Sequence, residues 1–135
     1  MRRVWAVLLL LLALAGSGCR IARTDGGERE SVEYTVLNAD AIPPEVERII
    51  REQEGQAYQM TYKSGGYLYI LRGYGEQETG GYSIQVEEVS VSESALHFRT
   101  RLLGPETKEE QRGDGSNPWL VVKTEDRGLP VAFER

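Results

Sequence analysis

Between residues 42 and 50 the apolar positions fall at Ile42, Val46, Ile49 and Ile50, the i, i+4, i+7, i+8 stripe of one helix face. From Ala57 onward the apolar spacing changes to every second residue and stays there. The pattern therefore predicts one short N-terminal helix followed by strands. Asp40 stands where an N-cap would, Pro43 and Pro44 suit a first turn whose N–H groups have no intrahelical acceptor, and Gly55 marks the end. The other helix face, Glu45, Glu47, Arg48, Arg51 and Glu52, reads as solvated charge. Ahead of the helix, residues 33–38 alternate weakly and predict a short strand.

The runs Ala57 to Lys63 and Tyr67 to Tyr74 flank Ser64-Gly65-Gly66, a connection that predicts a hairpin. In the second run Tyr67, Tyr69 and Leu71 share one face and Leu68 and Ile70 the other, so both faces are apolar, as in a central strand covered on two sides. Tyr82, Ile84 and Val86 alternate with polar residues, but Val89 and Val91 continue on the opposite parity, which predicts a bulge near Glu87-Glu88. Leu96, Phe98, Thr100 and Leu102 line one face of the next strand, with His97, Arg99 and Arg101 on the outward face. Trp119 to Thr124 and Val131 to Phe133 complete the set. Many short strands divided by Gly, Asn, Asp and Pro clusters, with one early helix, predict a mainly β (α+β) domain: an antiparallel β-sandwich or rolled sheet spanning residues 33–135.

The N-terminus changes the picture from fold to location. Arg2 and Arg3, an apolar run from Val4 to Leu14, the small residues Ala15 to Gly18 and then Cys19 read as a lipoprotein export signal over residues 1–18. The segment resembles the bacterial lipobox, with glycine at position 16 where that motif usually has leucine. Cys19 is the single cysteine of the chain, so it makes no internal disulfide, and lipid attachment accounts for its position. An uncleaved anchor helix and an ordinary signal peptide cleaved elsewhere remain as alternatives; all three place the rest of the chain outside the cytoplasm. Residues 19–32 are polar and contain glycine without an apolar period, which predicts a flexible tether. Loss of Arg2 and Arg3 leaves 14 basic against 21 acidic residues, a formal charge of −7, in place of −5 for the full chain. Such a surface repels nucleic acid and anionic headgroups, so lipid on Cys19 rather than a basic patch would hold the protein at the membrane.

The residue inventory argues against catalysis. His97 is the only histidine and is expected as a surface imidazole, and the acidic pairs Glu76 and Glu78 or Glu87 and Glu88 lack any second ligand type that would make a metal site. The glycine-rich segments lead into strands instead of opening a helix, unlike phosphate cradles. Two segments stand out. Thr79-Gly80-Gly81-Tyr82 and Asn117-Pro118-Trp119 each bring an aromatic to the start of a strand from a loop containing Gly or Pro, the arrangement by which binding modules present contacts on a rigid sheet. The competing reading makes both segments structural turns with core aromatics.

The order Tyr67 to Leu71, Gly75 to Ile84 with Thr79-Gly80-Gly81-Tyr82 at its centre, a variable hairpin containing Gly104-Pro105, and Asn117-Pro118-Trp119 running to Lys123 resembles the C-terminal domain of the PrcB protease-complex family over roughly residues 55–133. The resemblance implies a small exported or lipid-anchored bacterial protein, a place in a surface protease complex, no catalytic residues and no cofactor. A weaker likeness, Thr79-Gly80 followed by Pro118-Trp119, is to the chagasin-type cysteine protease inhibitors. Together these lead to the expectation of a noncatalytic, lipid-anchored extracytoplasmic accessory module. Its partner would be an envelope or secreted protein, such as a protease, met through Thr79, Gly80, Gly81, Tyr82, Asn117, Pro118 and Trp119. The alternatives are a structural envelope lipoprotein, a protease inhibitor or a hydrolase.

Overall fold

The computed structural model describes residues 28–135; the leader, Cys19 and the tether as far as residue 27 lie outside the described residues. Eight strands and one α-helix follow in the order β1 (Glu30–Ser31), β2 (Tyr34–Val36), α1 (Pro44–Glu52), β3 (Ala57–Ser64), β4 (Tyr67–Tyr74), β5 (Ser83–Val91), β6 (Leu96–Leu103), β7 (Trp119–Glu125) and β8 (Val131–Glu134). They form two four-stranded sheets, β1-β5-β6-β8 and β2-β7-β4-β3. All pairings are antiparallel except β6 with β8. The sheets face each other as a sandwich, and α1 covers the outer face of the second, giving three layers.

The apolar runs predict this layering and receive it. Leu68, Ile70, Leu120 and Val122 pack inward against Val89, Leu96 and Phe98 of the opposite sheet. Tyr69, Leu71 and Val121, on the alternate parity, pack outward against Ile42, Val46 and Ile50. Strand β4 is thus covered on both faces, and its neighbours in the sheet are β3 and β7. Its hairpin with β3 turns at Gly65 and Gly66, both at positive φ, as the Ser-Gly-Gly connection requires. The bulge is present as well. Val86 pairs with Thr100 and Glu88 with Arg99, so Glu87 is the extra residue that returns Val89 to the core.

Helix α1 begins differently from the expectation. Asp40 lies in a 3-10 turn at Ala39–Ala41, and the residue capping α1 is Pro43, which offers no side-chain hydrogen bond. The extended backbone that Pro44 imposes on Pro43 moves the helix start past Asp40. The tether also ends earlier than residue 32. Glu30 and Ser31 pair with Val91 and Ser90, the Val32 amide donates to the Val89 carbonyl at 3.1 Å, and Val32 packs against the core. A polar, short segment carries little periodicity, and its strand character comes from the β5 edge it joins.

His97 is the main correction. It is buried, at 7 % exposure, rather than a surface imidazole. Its face of the first sheet carries an interlocked polar layer. His97 Nε2 lies 2.8 Å from Ser92 Oγ, and Nδ1 lies 3.2 Å from Glu134. Arg29 makes a two-bond contact with Glu134, at 2.8 and 3.0 Å, and donates to Glu88 at 2.9 Å; Arg99 reaches Glu88 at 3.2 Å. Side chains contributed by β8 and by the N-terminal segment therefore cover a ring that local alternation alone would leave open.

Chain direction fixes the ends of the sandwich. The N-terminal segment enters beside the β5–β6 turn at residues 92–95, because Glu30 pairs with Val91 and Val91 with Leu96. The loops of residues 75–82 and 104–118 lie at the opposite end, where β4 and β6 finish and β5 and β7 begin.

Two outcomes follow for stability. Ile70→Ala, in the sandwich core, and Ile50→Ala, under α1, are each expected to cost about 2–5 kcal/mol in denaturant unfolding; a negligible loss for Ile50→Ala would mean that α1 is not an integral layer. The Ser90 hydroxyl, followed by Arg29, holds the Glu88 carboxyl below its ordinary value of 4.5, and Arg29 does the same to Glu134. Carboxyls lowered on folding stabilise in full above 4.5 and lose that contribution as pH falls through their folded values. Glu88→Gln together with Glu134→Gln should lower the melting temperature at neutral pH and flatten its decline below pH 4.5, as followed by thermal scans across pH.

Candidate functional site

The two glycine-containing loops clasp each other at the end of the sandwich remote from chain entry. The Gln77 amide donates to the Ser116 carbonyl at 2.8 Å, the Ser116 amide returns a bond to Gln77 at 3.1 Å, and the Ser116 hydroxyl donates to the Thr79 carbonyl at 2.7 Å. The Gly80 amide donates to the Arg112 carbonyl at 2.7 Å. This contact explains both glycines of the Thr-Gly-Gly-Tyr segment. A Cβ at Gly80 would stand 2.7 Å from the Arg112 oxygen, and one at Gly81 would stand 2.5 Å from the Glu110 oxygen, with Gly81 itself at φ 85°. The clasp links the sheets, since one loop leads into β5 and the other into β7. Beneath it, the Tyr74 hydroxyl and Thr100 Oγ1 lie 2.6 Å apart across the interior, and the Arg72 guanidinium sits 3.9 Å over the Tyr74 ring.

The sequence-selected residues divide between layers. Trp119 pairs with Gly73 and shares the parity of Val121, which places it on the α1 side of its sheet, 38 % exposed. Tyr82 precedes Ser83 on the parity of Ile84 and Val86, which pack toward the interior, and its ring stands beside Gly104. Thr79, Gly80 and Gly81 are engaged by the second loop. The structure thus brings both loops to one end but gives their two aromatics different neighbours.

Asn117, Pro118 and Trp119 line a cavity of about 240 Å³ between the C-terminal end of α1 and the β3–β4–β7 edge. Ile42 and Ile50 form its apolar floor, and Tyr58 and Gly73 its inner wall. Gly73 is fixed by contact, because a Cβ there would run into the Tyr58 ring. Glu47, Arg51 and Glu54 stand at the rim. The Tyr58 hydroxyl is buried without a hydrogen-bond partner, and burial pushes its pKa up to about 12. An unpaired buried hydroxyl costs free energy. Only Asn117-Pro118-Trp119 pointed here from the sequence. Tyr58, Gly73 and the end of α1 read as a strand, a strand and a solvated helix face, and separate segments must fold together before the cavity exists.

Ser92, His97 and Glu134 form a serine–imidazole–carboxylate chain of the order found in activated nucleophiles. Here the chain ties the β5–β6 turn to β8, and none of the three lines the cavity. Among the described residues no group of three or more His, Cys, Asp and Glu side chains is placed to hold a metal ion.

No curated protein and no solved structure matches the chain. A family match begins in β4, ends in β7 and takes in both clasped loops together with Trp119. Residues 68–125 match the family described as PrcB C-terminal, in agreement with the resemblance carried by the Thr-Gly-Gly-Tyr and Asn-Pro-Trp segments.

Proposed function

We propose that the chain is a noncatalytic, lipid-anchored extracytoplasmic accessory module that takes part in a surface protease complex. The observation that carries this reading is the PrcB C-terminal match over residues 68–125, because it covers the loops at 75–82 and 104–118 rather than a generic strand pattern. The export signal with Cys19 at its end supports the location. The position of the loops supports the role. Chain entry is at one end of the sandwich and the loops are at the other, so a domain held through Cys19 presents the loops away from the bilayer. The partner surface is Thr79, Gly80, Gly81 and Tyr82 with Asn117, Pro118 and Trp119. Gly80 and Gly81 act by allowing the clasp, and the exposed indole of Trp119 makes contact.

Two measurements test this. Growth with a fatty-acid analogue should label the wild-type protein and leave Cys19→Ser unlabelled; label persisting in the variant refutes lipidation at Cys19. Trp119→Ala should unfold at nearly the wild-type temperature, losing less than the roughly 3–5 kcal/mol of a fully buried aromatic. Crosslinked pull-down of envelope proteins should meanwhile weaken by an anchor's worth, about 2 kcal/mol or more. A collapse of stability in both Trp119→Ala and Tyr82→Ala would instead make these rings parts of the fold and leave no partner site here.

A further inference from the structure

We infer that the cavity under the end of α1 receives a basic side chain, arginine or lysine, from an extended segment of a partner protein. This rests on the reading of Asn117–Trp119 as partner surface and adds the chemistry of what docks there. Three features of the cavity act together. Its size, about 240 Å³, suits one long side chain and falls short of the 300–1,000 Å³ usual for whole small-molecule ligands. Its floor and walls, Ile42, Ile50, Pro118 and Trp119, offer apolar surface to a methylene stem and an aromatic face to a cation.

The charge around the opening favours a cation. Glu47 and Glu54 stand at the rim, and neither takes part in an ion pair among the described residues. Helix α1 ends at the cavity, so the negative end of its dipole lies beside the same space. Arg51 is the one basic residue in the lining; it lies four residues after Glu47 and offsets one carboxylate of the two. An acidic side chain would meet the two carboxylates and the helix end unfavourably, and a plain aliphatic one would leave the rim charge unanswered.

Of the two tryptophans, Trp5 is removed with residues 1–18, so the lipid-anchored protein reports on the cavity wall through the single indole of Trp119. The detergent-solubilised protein is titrated with three capped tripeptides, Ala-X-Ala with X arginine, norleucine or glutamate, while Trp119 emission and its indole N–H resonance are followed. The arginine peptide should shift both signals saturably, and the norleucine and glutamate peptides should bind at least threefold more weakly. Glu47→Gln with Glu54→Gln should weaken the arginine response by a similar factor at an unchanged melting temperature. Equal response to arginine and norleucine, no response to arginine, or indifference to the double substitution each overturns the proposal. Failure of the broader reading looks different: the arginine response would persist while Trp119→Ala left capture of the protein partner intact.

Discussion

The structure depends on one sheet being buried on both sides. Strands β4 and β7 lie at the centre of the β2-β7-β4-β3 sheet, with the sandwich partner on one face and α1 on the other, and their runs Leu68-Tyr-Ile-Leu71 and Leu120-Val-Val122 are apolar on both parities for that reason. A one-residue slip would exchange the residues facing α1 with those facing the sandwich, and because both sets are apolar it is their different shapes that hold the register. The Tyr69 and Tyr62 rings, with centroids 6.1 Å apart, mark the α1 face, and Phe98 against Phe133, at 6.0 Å and nearly edge-on, mark the other. The loop end inherits its precision from these two strands. Trp119 is held opposite Gly73 by the same ladder that buries Leu120 and Val121.

The other sheet solves a different problem. Among the described residues its outer face has no helix above it and carries charge, yet it includes a buried imidazole. That is compatible with solvent nearby because each polar group there finds a charged or hydroxyl partner, with Arg29 bridging Glu88 and Glu134 and Glu134 meeting His97. The partners come from opposite ends of the chain. The N-terminal segment thus contributes to the domain twice, through two backbone pairs at Glu30 and Ser31 and through the Arg29 guanidinium. An arginine–carboxylate fork fixes direction as well as distance, so the chain leaves the domain at a defined edge instead of from a loose end.

Periodic features were legible in the sequence, and features assembled from distant segments were not. The Ser-Gly-Gly hairpin, the stripe under α1, the two-sided character of β4 and the extra residue at Glu87 each follow from spacing within a dozen or so residues, where alternation and turn chemistry act directly. The parallel pairing of β8 with β6 does not, because the turn after β7 carries the chain to the other sheet and nothing local specifies that crossing. His97 was misread for the same reason: its burial is decided by Ser92, Glu134 and the N-terminal arginine. At the loop end, Thr79-Gly80-Gly81 and Asn117-Pro118-Trp119 announced themselves by composition. What composition withheld is that the glycines serve the contact between loops while the tryptophan faces α1.

A loop whose glycines accept backbone at 2.5–2.7 Å from a would-be Cβ tolerates almost no substitution there, so the clasp behaves as a rigid strut between the sheets. The cavity beside it is bounded by side chains of α1 and by Trp119, none of which makes the hydrogen bonds of the clasp. Glu47 in the first turn of α1, Arg51 in its last turn and Glu54 just beyond it stand apart from the buried Val46 and Ile50, which together with Ile42 hold the helix in place. Their charges therefore change at little expense to folding, whereas Tyr58 and Gly73 are bound to each other by contact and leave the inner wall of the cavity constant.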